Sequence, residues 1–144
     1  MTAGEAVAVQ IGGELAARWA WWAAWVGLDE HEAGSHALAA RAELAATQLT
    51  GDDLALAAET CLDVLGALFA PGDPPDEWWR TPLGRACART YGYADESVTQ
   101  ATAARLLGVG RARVGQLLGA GKLDRTPDGG VLRGSVMRRI AADG

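Results

Sequence analysis

The chain has 144 residues, a net charge of −5 and 49% hydrophobic residues, about one domain's worth of length, and it is not the composition of a disordered chain. Its 30 Ala, in Ala-rich runs, favour helices, and its 19 Gly show no three-residue period, which excludes collagen. Cys61 and Cys87 are too few for a disulfide framework or a four-thiolate zinc site, so a reducing cytosol is the expected compartment. The charge is unevenly spread. Residues 1–96 hold 5 basic against 15 acidic side chains, and residues 97–144 hold 8 against 3. Such asymmetry suggests a basic module joined to an acidic one.

In chain order, Thr2-x-x-Glu5 has the form of a capping box and predicts a short helix to about Ile11, closed by Gly12-Gly13. A second helix is expected over 14–26. Leu15, Trp19, Trp22 and Val26 lie on one of its faces, and Trp21 and Trp25 on a neighbouring stripe. Asp29, with Glu32 three residues on, predicts the start of a third helix to about Leu49, whose small apolar face is Ala37/Leu38, Ala42, Ala45 and Leu49. A fourth, over 53–69, places Leu54, Ala58, Cys61, Leu65 and Leu68 together before Pro71-Gly72-Asp73-Pro74-Pro75 ends it. Thr81-Pro82 caps a short helix to about Tyr91, and residues 91–96 read as a connector. The first 93 residues are thus expected to form an acidic domain of four to five helices.

Four tryptophans within seven residues need a partner surface. Trp19, Trp21, Trp22 and Trp25 are therefore expected in the core of this domain, in a homodimer interface or around an apolar ligand, with dimerisation the reading carried forward. The most apolar window, residues 15–28, contains Arg18 and falls short of the roughly 20 apolar residues of a membrane span. Residues 1–13 lack the basic start of a secretory leader. A soluble cytoplasmic protein with no membrane partner is expected.

Residues 97–144 carry the most specific pattern. Thr99 caps a helix over 100–107, Gly108 suits a tight turn of positive φ, and Val109 is expected to plug that turn. A second helix over 111–120 buries Val114, Leu117 and Leu118 and ends at Gly121. Ala104, Gly108, Val114 and Leu117 stand at helix-turn-helix spacings. Asp128-Gly129-Gly130 between short flanks reads as a β-hairpin, and Ser135 is expected to cap a last helix over 136–141. The fold class is mainly α, an N-terminal helical domain followed by a small winged helix-turn-helix.

The run 99–109, with Val114, Gly121-Lys122-Leu123 and Ser135-Val136, resembles the excisionase-type DNA-binding domains related to MerR regulators. The resemblance covers the last third of the chain and implies a major-groove recognition helix and a wing near the backbone. Gly110 departs from it, since such domains usually place Ser or Thr there as a cap, and Gly115 is a second departure. Arg111, Ala112 and Gln116, at the exposed start of the second helix, are the base-reading candidates. Thr99, Arg105, Arg113, Lys122, Arg125 and Arg133 are expected at the DNA backbone, with Arg138 and Arg139 extending that footprint.

Other motifs fail on geometry. His31 and His36 are five apart and point about 140° apart on a helix, not the four-residue spacing of a zinc pair. Gly108-x-Gly110 and Gly119-Ala120-Gly121-Lys122 lack the remaining residues of a dinucleotide or phosphate loop. Nothing supplies a nucleophile, an acid–base pair or a metal site, so no enzyme, cofactor or metal is expected. The expected function is sequence-specific binding of double-stranded DNA by a nucleoid-associated bacterial regulator, acting as a homodimer. Two alternatives are an excisionase-like architectural factor and an antitoxin-like protein whose N-terminal domain holds a protein partner.

Overall fold

The structure is a computed structural model that describes residues 1–26 and 31–143, leaving the side chains of 22–24, 26 and 31–36 outside the description. It is mainly helical and divides into two compact units, Met1–Asp73 and Pro74–Gly144. The division falls some twenty residues before the boundary expected from charge.

The first unit is three helices, α1 (Ala3–Val26), α2 (His31–Thr50) and α3 (Leu54–Phe69). The capping box forms: the Glu5 amide donates to Thr2 Oγ1 at 3.1 Å, and the Thr2 amide to Glu5 Oε2 at 2.6 Å. Gly12-Gly13, however, does not interrupt α1. Glycine costs a helix about 1 kcal/mol relative to alanine but does not forbid it. At Gly12 a Cβ would lie 3.8 Å from the Ala42 Cβ, so the bare backbone faces α2. The expected apolar face therefore begins earlier, with Val7 and Ile11 fully buried.

The α2 face of Ala42, Ala45 and Leu49 is buried as its spacing predicts, although Ala37 is exposed. The proposed Asp29 cap lies outside the described residues. Asp53 caps α3, accepting the Leu56 amide at 3.1 Å. The buried stripe of α3 is rotated from the expected one. Ala57, Thr60, Cys61, Val64 and Leu68 face inward, while Leu54 and Leu62 are exposed. Small residues on both α2 and α3 form the contact, and the Thr60 hydroxyl donates across it to Gln48 Oε1 at 2.9 Å. Trp19 is half-buried, but Trp21 and Trp25 are 69% and 76% exposed and lie outside the core. Trp22 is beyond the description.

The second unit starts with a 3₁₀ turn, Asp76–Arg80, followed by α4 (Pro82–Thr90), β1 (Ser97–Val98), α5 (Gln100–Leu107), α6 (Arg111–Gly119), β2 (Val131–Leu132) and α7 (Arg133–Asp143). Thr81 caps α4 by accepting the Gly84 amide at 3.1 Å. Trp79, 1% exposed, is the largest fully buried side chain among the described residues, set edge-on to Trp78 at 5.3 Å and to Tyr91 at 6.0 Å between ring centroids. Leu83, Cys87, Leu106, Leu107, Val114 and Val136 are buried in the same unit. The 3₁₀ turn and α4 thus belong to the core on which α5 rests, a packing role that charge counting missed.

Candidate nucleic-acid interface

The α5–α6 pair is set by two helix endings of the same kind. At the end of α5, Gly108 takes φ +66°, its amide bonds the Arg105 carbonyl at 2.9 Å, and the Val109 amide bonds Ala104 at 3.0 Å. At the end of α6, Gly121 takes φ +71°, its amide reaches Leu118 at 3.2 Å, and Lys122 reaches Leu117 at 2.8 Å. Both are Schellman endings, which a left-handed glycine makes possible. Gly108 has a second reason to be glycine. A Cβ there would fall 2.5 Å from Arg80 Cγ and 2.8 Å from the Asp76 carbonyl, because the turn sits directly on the 3₁₀ segment. Val109, expected as a plug, is half-buried, whereas Val114 is fully buried.

Thr99 caps α5, its hydroxyl accepting the Thr102 amide at 3.0 Å. Gly110 stands in the cap position of α6 with extended backbone (φ −76°, ψ 161°) and offers no side-chain bond. A side chain at Gly110 or Gly115 would meet nothing within 4 Å.

The expected hairpin is short. It has one bridge, Arg125↔Val131, flanked by the Leu132 amide to Asp124 at 2.8 Å and the Thr126 amide to Gly130 at 3.1 Å. A turn closes it, with the Gly129 amide on the Thr126 carbonyl at 3.0 Å and Gly129 at φ +85°. The outer partner of β2 is β1, antiparallel, with Ser97 opposite Leu132 and Val98 opposite Val131. Pairing to a segment upstream of α5 could not be read from the hairpin residues. Ser135 is not the cap of the last helix, since α7 begins two residues earlier. Its buried hydroxyl accepts the Asp124 amide at 3.1 Å and donates to the Leu132 carbonyl at 2.7 Å, tying the hairpin to the helix.

No family model, curated protein or solved structure matches the chain. The chemistry of the site is therefore read from its own residues. An open cleft of about 430 Å³ separates the start of α5 from the 126–130 turn, with Ser97, Thr99, Gln100 and Arg111 on its walls beside Asp128 and Gly130. Arg111, Ala112 and Gln116 are exposed on α6, and Arg113 Nη1 donates to Gln116 Oε1 at 3.3 Å. Lys122 and Arg125 are exposed beyond it, and Arg105 is half-buried. The Arg111, Lys122 and Arg125 side chains have no ion pair among the described residues.

Arg133 is placed differently from the expected backbone contact. Its Nε donates to the Tyr91 carbonyl at 3.0 Å and its Nη2 to the Arg89 carbonyl at 2.6 Å, closing the end of α4. Partial burial lowers its pKa and Asp95 opposes that shift. A guanidinium used in this way is a brace of the fold. Arg138 pairs with Asp124 at 3.0 Å and Arg139 with Asp143 at 3.5 Å. Among the described residues, no three His, Cys, Asp or Glu gather as a metal site, and no helix is long and apolar enough to cross a membrane. The side chains of His31 and His36 lie outside the description.

Proposed function

We propose that the second unit is a winged helix-turn-helix that binds double-stranded DNA in a sequence-specific manner, and that the chain is a cytoplasmic, nucleoid-associated bacterial regulator. One observation carries this reading. Arg111 opens α6 at a cleft it shares with the first residues of α5 and the hairpin turn, and it has no acidic partner among the described residues. On this reading α6 enters the major groove, Arg111 and Gln116 read base edges, and Lys122 and Arg125 meet phosphates. Thr99, Arg105 and Arg113 add backbone contacts around them.

The first unit, with two arginines against eleven carboxylates, repels DNA non-specifically and leaves contact to the second. Trp21 and Trp25, exposed on a single chain, favour assembly of this unit as a homodimer. That assembly would present two α6 helices to half-sites roughly 34 Å apart. The same exposure favours one rival, a different protein bound to this unit. Mass measurement of the purified full chain separates them: a dimer that Trp21→Ala with Trp25→Ala converts to monomer supports the first.

DNA binding is tested by selection from a random duplex library, followed by titration of the selected sequence. Arg111→Ala is expected to weaken that binding by about 1–3 kcal/mol and relax one base position. Lys122→Ala weakens binding to all sequences alike and flattens its salt dependence. A full chain that selects no sequence and ignores duplex DNA at low salt refutes the reading.

A further inference from the structure

The hairpin turn is ordered by a carboxylate on the face proposed to meet phosphates. Asp128 is fully exposed, yet its Oδ1 accepts the Gly130 amide at 3.1 Å, the Ser97 hydroxyl at 3.2 Å and the Thr126 hydroxyl. Ser97 Oγ and Thr126 Oγ1 lie 2.8 Å apart, near enough for either hydroxyl to turn to the other in place of the carboxylate, so three segments meet around one oxygen. One is β1, one is the outgoing arm of the hairpin, and one is the turn itself. Close packing supports the network. A Cβ on Gly130 would fall 2.8 Å from the Val98 carbonyl and against Ser97 Oγ, so the turn lies directly over β1. The bonds from Thr126, Gly130 and Ser97 hold the Asp128 carboxyl below its ordinary pKa, and it stays ionised throughout the neutral range.

Across the cleft stands Arg111, and the two side chains form no ion pair among the described residues. Asp128 therefore does not neutralise Arg111. A carboxylate among DNA-facing groups repels phosphate, and charge alone predicts that removing it tightens binding. The network predicts the opposite, because a turn of Pro, Asp and two glycines is loose without it.

We propose that Asp128 is a positioning residue for DNA, holding the 126–130 turn as one wall of the cleft so that a duplex meets that turn and Arg111 together. The inference rests on the DNA-binding reading and specifies it. Asp128 promotes binding in spite of its charge, acting through Ser97, Thr126 and Gly130 without touching the nucleic acid.

The two effects differ in sign, so substitution separates them. The probe is the duplex selected by the wild-type full chain, titrated at several salt concentrations. Asp128→Asn keeps an oxygen acceptor and removes the charge, and it is expected to bind at least as tightly as wild type. Asp128→Ala loses the acceptor of all three bonds and is expected to bind about tenfold more weakly, a change of about 1.4 kcal/mol. Thr126→Val, which leaves every charge in place, should weaken binding in the same direction. The Gly130 amide should exchange with solvent faster in Asp128→Ala than in Asp128→Asn, with DNA absent. Circular dichroism and the unfolding midpoint check that each variant stays folded. If Asp128→Ala and Asp128→Asn both tighten binding, charge decides and the positioning role is refuted while DNA binding stands. If folded Asp128→Ala, Asp128→Asn and Thr126→Val all bind as wild type, the turn does not contribute. If the wild-type chain binds no duplex, both readings fall together.

Discussion

Replacing single glycines by alanine in the second unit separates three physical effects that the structure assigns to three positions. Gly115 lies within α6 in open space, where a Cβ would meet nothing within 4 Å, and its φ is not left-handed. Alanine there gains helix propensity and should stabilise by about 0.5–1 kcal/mol. Gly121 has φ +71° with open space around it, so alanine meets only the left-handed penalty, about 1–2 kcal/mol. Gly108 has φ +66° and also meets Arg80 Cγ at 2.5 Å and the Asp76 carbonyl at 2.8 Å. The arginine stem is flexible and can withdraw, but the carbonyl belongs to the 3₁₀ turn beneath. Overpacking of about 1–3 kcal/mol adds to the strain and gives about 2–5 kcal/mol in total. Urea denaturation of the full chain, followed by hydrogen exchange of amides in α5 and α6, reports this unit apart from the first. The expected order of stability is Gly115→Ala, wild type, Gly121→Ala, Gly108→Ala. Equal losses at Gly108 and Gly121 would refute the packing of the α5–α6 turn on the 3₁₀ segment.

Gly110→Ser is expected to stabilise α6 by only about 0.3 kcal/mol, because the backbone is already extended and the space is open, but glycine is itself a fair cap; the same denaturation series checks it. Arg133→Met should destabilise the unit by about 1–3 kcal/mol through loss of the two guanidinium hydrogen bonds at the end of α4, while the salt dependence of DNA binding keeps its slope. A flattened slope would return Arg133 to the backbone contacts. Because the folded pKa of Asp128 is depressed, its network contributes stability above the ordinary carboxylate pKa of about 3.9 and loses it as pH falls through the lower folded value. The Gly130 amide resonance should therefore titrate with a midpoint below about 3.9 and stay constant from there to neutrality.

Local signals were legible wherever a residue's role depends on its immediate neighbours. The Thr2/Glu5 box, the caps at Thr81 and Thr99 and the left-handed endings at Gly108 and Gly121 all form where short-range patterns place them. Each is satisfied within a few residues, so no tertiary context can easily overrule it. Glycine without such a need was ambiguous. Gly12-Gly13 resembles a break but continues α1, since glycine costs a helix only about 1 kcal/mol and the same helix buries Val7 and Ile11. In α3, helical spacing allowed two neighbouring stripes that share Cys61 and Leu68, and packing chose the one with Ala57, Thr60 and Val64 over Leu54, Ala58 and Leu65.

The sequence by itself determined a mainly helical chain, the start and stop of most of its helices, and the contrast between an acidic beginning and a basic end. It also singled out Arg111, whose exposure at the head of α6 follows from the buried spacing of Val114, Leu117 and Leu118. Tertiary structure alone decided which side chains share a site. Ser97 reaches Asp128 across thirty-one positions, and Arg133 reaches the Arg89 carbonyl across forty-four. No local pattern encodes such pairings, because each depends on where the Trp79 core seats α4, α5 and α7. Arg125 and Arg133 read alike in the sequence as basic residues near a hairpin. Only the fold leaves one exposed and turns the other onto the backbone oxygens of Arg89 and Tyr91.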